Sequence, residues 1–194
     1  MMRKTIAVIA DIDRQISELE EKKICNLVDR SFLANRLPYP YTEESADWWL
    51  GMVSEHDGKD GVFRAVLADG KVVGNITVRQ KSDVYCKDGE IGYLLLMEYW
   101  SKGIMTEAVR QICDVAFSEL DIVRITGLVY APNVASQRVL EKNGFVREGL
   151  QRNAVYKNGQ IYDLVLYKGY IQKAFEGSCE AHGPFISLRA MGAL

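Results

Sequence analysis

Two dipeptides constrain this chain more than anything else in it: Asp69-Gly70 and Asn158-Gly159. Each sits between runs of β-type residues, and such a pair marks a tight hairpin, because both turn residues must adopt positive φ. The first joins residues 62–68 (VFRAVLA) to 71–79 (KVVGNITVR), and the second joins residues 145–155 to 160–168. Between the hairpins the pattern changes. Strand-like residues 89–97 (GEIGYLLLM) precede residues 104–120, where Val109, Ile112, Cys113, Ala116 and Leu120 recur at helical spacing. A strand over 122–130 (IVRITGLVY) and a helix from Ala131 to Asn143 follow, with Gly144 suited to the helix C-terminus. Hairpins give antiparallel neighbours, whereas a strand–helix–strand run brings a crossover. The chain is therefore expected to fold as α/β, with a mixed sheet.

Upstream, residues 5–10 (TIAVIA) read as a strand. A helix is expected from Asp13 or Gln15 to about Phe32, on the spacing of Ile16, Leu19, Ile24, Leu27 and Val28. The loop NRLPYPYTEE ends it, since proline cannot continue a helix. Thr42 can cap the next helix, with Glu43 and Glu44 in its first turn and Trp48, Trp49 and Met52 along it.

Composition narrows the class. The chain has 194 residues, 48% of them hydrophobic and 26% charged, and a formal net charge of −2. A disordered chain is poorer in apolar residues, a disulfide scaffold is shorter and richer in Cys, and no stretch approaches the ~18 apolar residues of a membrane span. One domain is expected, burying roughly 70% of the unfolded chain's surface. The charge lacks the basic excess of a nucleic-acid binder, so neither nucleic acid nor membrane is expected as a partner. The first run, MMRKTIAVIADIDRQ, is cut by Asp11 and Asp13 and has no small-residue cleavage site, so it is read as a strand and not a signal peptide. Cys25, Cys86, Cys113 and Cys179 form no CxxC pair, and the chain's histidines are His56 and His182. No metal is expected, and reduced thiols in a cytoplasmic protein fit best.

Two segments carry chemistry. In GEIGYLLLMEYWSKGIMTEAV a strand runs through a Ser-Lys-Gly turn into a helix. The first N–H groups of a helix lack partners and carry partial positive charge, and a preceding Gly lets an anion approach them, so the arrangement suits a phosphate or pyrophosphate. It is neither a Walker A loop nor a Rossmann fingerprint, and the alternative is an ordinary strand-to-helix turn. In VYAPNVASQRVLEKNGF, Asn133 offers an amide near the first helical turn and Ser136 lies three residues on, hence on the same face; capping by Asn133 and a surface Ser136 is the alternative.

Together with the hairpin VYKNGQIYDLVLY and the upstream PYPYTEESADWW, these segments resemble the GNAT acetyltransferase superfamily, most closely its branch of ribosomal-protein N-terminal acetyltransferases, over roughly residues 33–170. The resemblance implies a GNAT-like fold: a central mixed sheet of about seven strands with flanking helices and one splayed pair of strands. It implies acetyl-CoA as cosubstrate and N-acetylation of an amine acceptor, the α-amine of a protein or peptide. A small-molecule amine, or coenzyme A binding without catalysis, are the alternatives. A single domain is expected over residues 1–176, as monomer or homodimer, with a tail over 177–194.

By resemblance the phosphates meet backbone amides of Lys102, Gly103, Ile104, Met105, Thr106 and Glu107, and the pantetheine arm meets the backbone of Leu95 and Met97 together with Asn133. Trp100 departs from the superfamily's Gln or Arg, and Met105 from its Gly or Ala. For catalysis, Glu90 before the Ile-Gly-Tyr run is the candidate base, with a solvent-facing strand-end Glu as its alternative. The superfamily's tyrosine acid, seven positions after the matched Asn, is replaced by Leu140, and Ser136 is the substitute for meeting the departing thiolate. Acceptor contacts are expected from the loop Asn35 to Tyr41 and the hairpin around Arg152 to Gln160, with Tyr39, Tyr41, Arg152, Asn153 and Tyr156 as lining residues. At least one of Trp48 and Trp49 is expected to pack, Cys113 belongs to the apolar helix face, and Cys86 falls in a loop.

Overall fold

The computed structural model describes residues 7–12 and 18–170. The expected tail from Gly177, Cys179, His182 and the expected helix start at Asp13 or Gln15 lie outside them. Among the described residues seven strands form one sheet: β1 (Ala7–Asp11), β2 (Gly61–Ala68), β3 (Lys71–Gln80), β4 (Asp88–Leu95), β5 (Arg124–Tyr130), β6 (Val146–Lys157) and β7 (Gln160–Tyr170), in the order β1-β2-β3-β4-β5-β7-β6. Every neighbouring pair is antiparallel except β4 and β5, which run parallel across a helical crossover. Both hairpins turn where the dipeptides predict: Asp69 and Gly70 have φ of 50° and 77°, and Asn158 and Gly159 have 51° and 78°.

The helices are α1 (Glu18–Leu27), α2 (Glu43–His56), α3 (Ile104–Glu119) and α4 (Val134–Lys142). α3 and the buried Leu140 of α4 pack on one sheet face with Val66, Ile76, Ile91 and Tyr167. α1 and α2 cover the other, where Ile24, Val28 and Val53 meet Phe63 and Ala65. Among the described residues no helix is long and apolar enough to cross a membrane.

Helix ends differ from the expected ones for local reasons. α1 stops at Leu27, short of Phe32, because Asp29 Oδ1 accepts from both the backbone N and the Oγ of Ser31, a local turn that competes with the helix. α4 begins at Val134 rather than Ala131, because the Asn133 side chain accepts from Ser136 N and caps it. Thr42 caps α2 as expected, and Ser45 completes the reciprocal pair: Ser45 N donates to Thr42 Oγ1 (3.2 Å) and Thr42 N to Ser45 Oγ (3.4 Å). Trp49 packs edge-on against Phe63 at 5.8 Å, while Trp48 is exposed.

α1 also carries a charged group into the interior. Glu21 is 1% exposed; its Oε1 accepts from Cys25 Sγ (3.1 Å) and Asn75 Nδ2 (3.2 Å), and its Oε2 has no partner among the described residues. Burial pushes its pKa up, against the pull of these two hydrogen bonds. A carboxyl with a higher pKa folded than unfolded keeps its proton longer in the fold, so its ionisation costs stability progressively as pH rises above about 4.5. Urea midpoints measured from acid to neutral pH are therefore expected to favour Glu21→Gln increasingly over the wild type; parallel pH profiles would refute this role.

Candidate active site

The parallel ladder between β4 and β5 ends after Asp88↔Arg124, Gly89↔Ile125 and Glu90↔Thr126. Beyond it β4 stays with β3 as far as Leu95↔Gly74, and β5 stays with β7 as far as Tyr130↔Leu164. The two strands therefore diverge into a V, with Glu90 in the last paired row at its apex. Glu90, Gly92 and Leu94 lie on the α1/α2 face, where Leu94 packs with Cys25 and Tyr41, whereas Ile91, Tyr93 and Leu95 lie on the α3/α4 face.

An ionic cluster ties the strands together at the apex. Asp88, 3% exposed, accepts from Thr126 Oγ1 (2.7 Å), Lys81 Nζ (2.9 Å), Lys168 Nζ (3.0 Å) and Arg124 (3.1 Å). Burial alone would raise its pKa; the hydrogen bonds from Thr126, Lys81 and Lys168, with the charge of Lys168, outweigh that and hold it down to about 2. Lys168 also bonds Thr126 Oγ1. β4, β5, β7 and the segment after β3 are thus fastened by one carboxylate.

At the wide end of the V, β4 gives way to a 3₁₀ turn over Met97–Tyr99 and then to α3. Ser101 and Gly103 take positive φ, 58° and 78°, which bends the chain back into the helix. Among the described residues nothing accepts from the N–H groups of Lys102, Gly103, Ile104, Met105 and Thr106. This run is five donors long, at a helix N-terminus whose dipole favours an anion. A Cβ on Gly103 would have no atom within 4 Å, so the space above the turn is open. The Glu107 amide, expected among the donors, instead donates to Gly103 O at 3.1 Å, as the first full helical bond requires. Met97 likewise leaves the strand: β4 ends at Leu95, and the Met97 carbonyl accepts from Trp100 N. Trp100 has its own part in the turn, its indole Nε1 donating to Leu95 O at 2.9 Å, and Lys102 Nζ lies 5.1 Å over the Tyr99 ring.

The C-terminal end of α4 is tied to the first turn of α3, and the first turn of α4 is tied to β4. Asn143 Nδ2 at the end of α4 donates to Thr106 O (3.1 Å), and the Tyr93 hydroxyl of β4 donates to Ser136 O (3.3 Å). Ser136 is half-buried, and Asn133 Oδ1 is committed to Ser136 N at 3.1 Å. Burial pushes the Tyr93 phenol up to about 12, so it keeps its proton at neutral pH. Leu140 is core: a Cβ at Gly127 would stand 2.6 Å from its Cδ1, so the superfamily's tyrosine position is filled by packing. Cys113 also packs on that core, and burial pushes its thiol up to about 12. Cys86 is an exposed free thiol.

On the opposite face, the loop after α1 reaches the hairpin of β6 and β7. Phe32 meets Tyr130, and Tyr130 meets Tyr162, each pair with ring centroids 5.7 Å apart. A cleft of about 380 Å³ opens there, lined by Arg30, Asn35, Pro38 and Tyr39 from the loop and Lys157 and Asn158 from the hairpin. Of the expected acceptor residues, Tyr39 lines this cleft. Arg152, Asn153 and Tyr156 are exposed on β6 outside the lining, where the Asn153 backbone N donates to Asp163 Oδ1 at 2.8 Å. Tyr41, expected as lining, is 3% exposed and packs with Cys25 and Ala46; its backbone is clasped by Asn26 and its hydroxyl donates to Ser45 O.

Sequence reasoning missed Tyr93, Arg30, Lys157 and the Asp88 cluster. Alternation in GEIGYLLL already set Tyr93 on the face of Ile91. No local signal announced the others, whose partners are distant in the chain.

Residues 14–146 match the family described as Acetyltransferase (GNAT) domain. The Bacillus subtilis protein named "Putative ribosomal N-acetyltransferase YdaF" is 36% identical over 118 residues, 61% of this chain and 63% of that protein. The chain spans between 44% and 63% of the length of the first three curated relatives it matches. Two solved structures share the fold: the ribosomal-protein-S5-alanine acetyltransferase from Vibrio fischeri (TM-score 0.66, 22% identity, 88% of this chain and 94% of that one) and Mycobacterium smegmatis RimJ in complex with CoA-disulfide (TM-score 0.64, 22% identity, 73% and 70%).

Proposed function

The chain belongs to the GNAT acetyltransferase family, and from that membership we propose that it moves the acetyl group of acetyl-CoA to a primary amine, the α-amine of a protein or peptide. The observation that carries this reading is the run of unpartnered amides from Lys102 to Thr106 under an open space at the mouth of the V. These amides suit the coenzyme's phosphates, and Lys102 adds a cation beside them. The edge of β4 that β5 leaves unpaired beyond Glu90 suits the pantetheine arm, with the Leu95 carbonyl at its end already engaged by Trp100 Nε1. Similarity to ribosomal acetyltransferases supports the choice of an α-amine acceptor.

Bound acetyl-CoA supplies an acyl carbon activated by a thiol leaving group of pKa near 8.5. The chain has three tasks around it. Glu90, at the apex, takes the proton of the attacking amine, directly or through a water. That demand is modest for an α-amine, with pKa near 8 and about one part in ten neutral at pH 7, and much heavier for a lysine side chain, neutral to about one part in a thousand. Ser136, at the start of α4, offers its hydroxyl to the departing sulfur, and Tyr93 beside it holds a second protonated hydroxyl. As the C–N bond forms and the C–S bond breaks, the amine proton goes to Glu90 and the sulfur leaves as thiolate or thiol.

The test is to incubate the protein with acetyl-CoA and α-amino peptides, polyamines, amino acids and aminoglycosides, following free thiol and acceptor mass. Acetylated peptide is the expected product. Acetylation of small amines alone would move the acceptor class, and tight acetyl-CoA binding with no turnover would make the protein a coenzyme-binding module. Gly103→Val should weaken acetyl-CoA at least tenfold in calorimetric titration, because a β-branched residue at φ 78° is strained and its side chain enters the open space. Retained affinity would place the phosphates elsewhere.

A further inference from the structure

We infer that the acceptor carries a carboxylate, which Arg30 and Lys157 bind in the cleft between the loop after α1 and the β6–β7 hairpin. The inference rests on the acetyltransferase reading above and names the acceptor's chemistry. Lys157 is 6% exposed, yet its ammonium meets only neutral acceptors, the Leu33 carbonyl and Asn35 Oδ1 (3.1 Å). Arg30 donates to the carbonyls of Cys25 (3.2 Å) and Leu37 and lies 5.2 Å over the Tyr39 ring. Among the described residues no carboxylate lies within 4.0 Å of either cation.

Lys157 is buried and Arg30 half-buried, and the contrast with the other cations buried among the described residues is what decides. Arg64 is met by Asp11, Asp57 and Glu119, and Lys168 by Asp88, as the cost of burying a charge requires. Arg30 and Lys157 instead share a cleft and repel each other: burial first, then the charge of Arg30, lowers the Lys157 pKa. Both retain donors. Two of the five guanidinium N–H groups and two of the three ammonium N–H groups are engaged, which leaves a fork and a point charge for one anion. At about 380 Å³ the cleft is large enough for an acidic side chain. The Phe32–Tyr130–Tyr162 ring contacts join its loop to the end of β5, hence to the wide end of the V. Glu90 lies on the same α1/α2 face of the sheet as that loop, so an acceptor whose amine sits at the apex would extend along this face toward the cleft.

The experiment compares kcat/KM, at saturating acetyl-CoA, for peptides with Asp or Glu in the first few positions against the same peptides with Asn or Gln, and for an amino acid against its amide. Wild type should favour the carboxylate forms by 10- to 100-fold through KM, and whether peptide or amino acid shows the larger preference identifies the source of the carboxylate. Arg30→Gln should erase most of the preference, Lys157→Arg should keep it, and Lys157→Glu should invert it toward peptides bearing Lys. A merely structural tie of loop to hairpin would shift melting temperature without inverting charge preference. Equal wild-type rates for acid and amide overturn the inference while leaving the acetyltransferase reading intact. Failure to acetylate any amine overturns both.

Discussion

Asp88→Asn is expected to destabilise the fold by about 3–5 kcal/mol, because it leaves Lys168, 4% exposed, with no carboxylate and removes the shared anchor of Lys81 and Arg124. Domains of ordinary stability hold only about 5–15 kcal/mol in total, so the loss is a large part of it, and the melting midpoint should fall by roughly 6–20 °C. The sign of the pH dependence follows from the direction of the shift. Asp88 titrates at about 2 in the fold against an ordinary 3.8, so the stabilisation is full above about pH 4 and is lost as pH falls toward 2. The variant should lack that acid limb. A drop below about 1 kcal/mol would show that the cluster is worth no more than an exposed ion pair.

Glu90→Gln is expected to lower kcat by about 10²–10⁴-fold at neutral pH, the usual contribution of a positioned base. The gap should narrow as pH rises past about 8, where the α-amine is already neutral. The binding constant for acetyl-CoA should stay within a few-fold, since the amide run lies at the other end of β4. Turnover unchanged across the whole pH range would eliminate Glu90 as the base. The two predictions are linked by position: Asp88 and Glu90 lie on one face of β4, and the row that holds Glu90 also holds Thr126, the residue bonded to Asp88.

Much of the frame was legible because its signals are local. Asp69-Gly70 and Asn158-Gly159 each carry their turn in two residues, and Thr42 carries its cap within three. The passage from strand through a glycine turn into a helix at Gly103 was legible for the same reason. What remained hidden depends on contacts far apart in the chain. Asp88 and Lys168 are 80 positions apart, and Lys157 reaches Leu33 across 124. Tyr41 looked like a loop aromatic until Asn26 and Ser45 drew it into the core, and Met97 looked like a strand residue until the backbone turned at Leu96. The Glu107 amide shows the limit at single-residue scale: which N–H is the first to find a helical carbonyl depends on the φ of Gly103.

The most direct measurement follows the backbone amide proton–nitrogen signals while acetyl-CoA is added. The signals of Lys102 to Thr106 should shift together and saturate with the binding curve. The Glu107 amide, already bonded to Gly103 O, should move less. No binding, or shifts gathered elsewhere with these five amides unmoved, would contradict the assignment of the turn before α3 as the acetyl-CoA phosphate site.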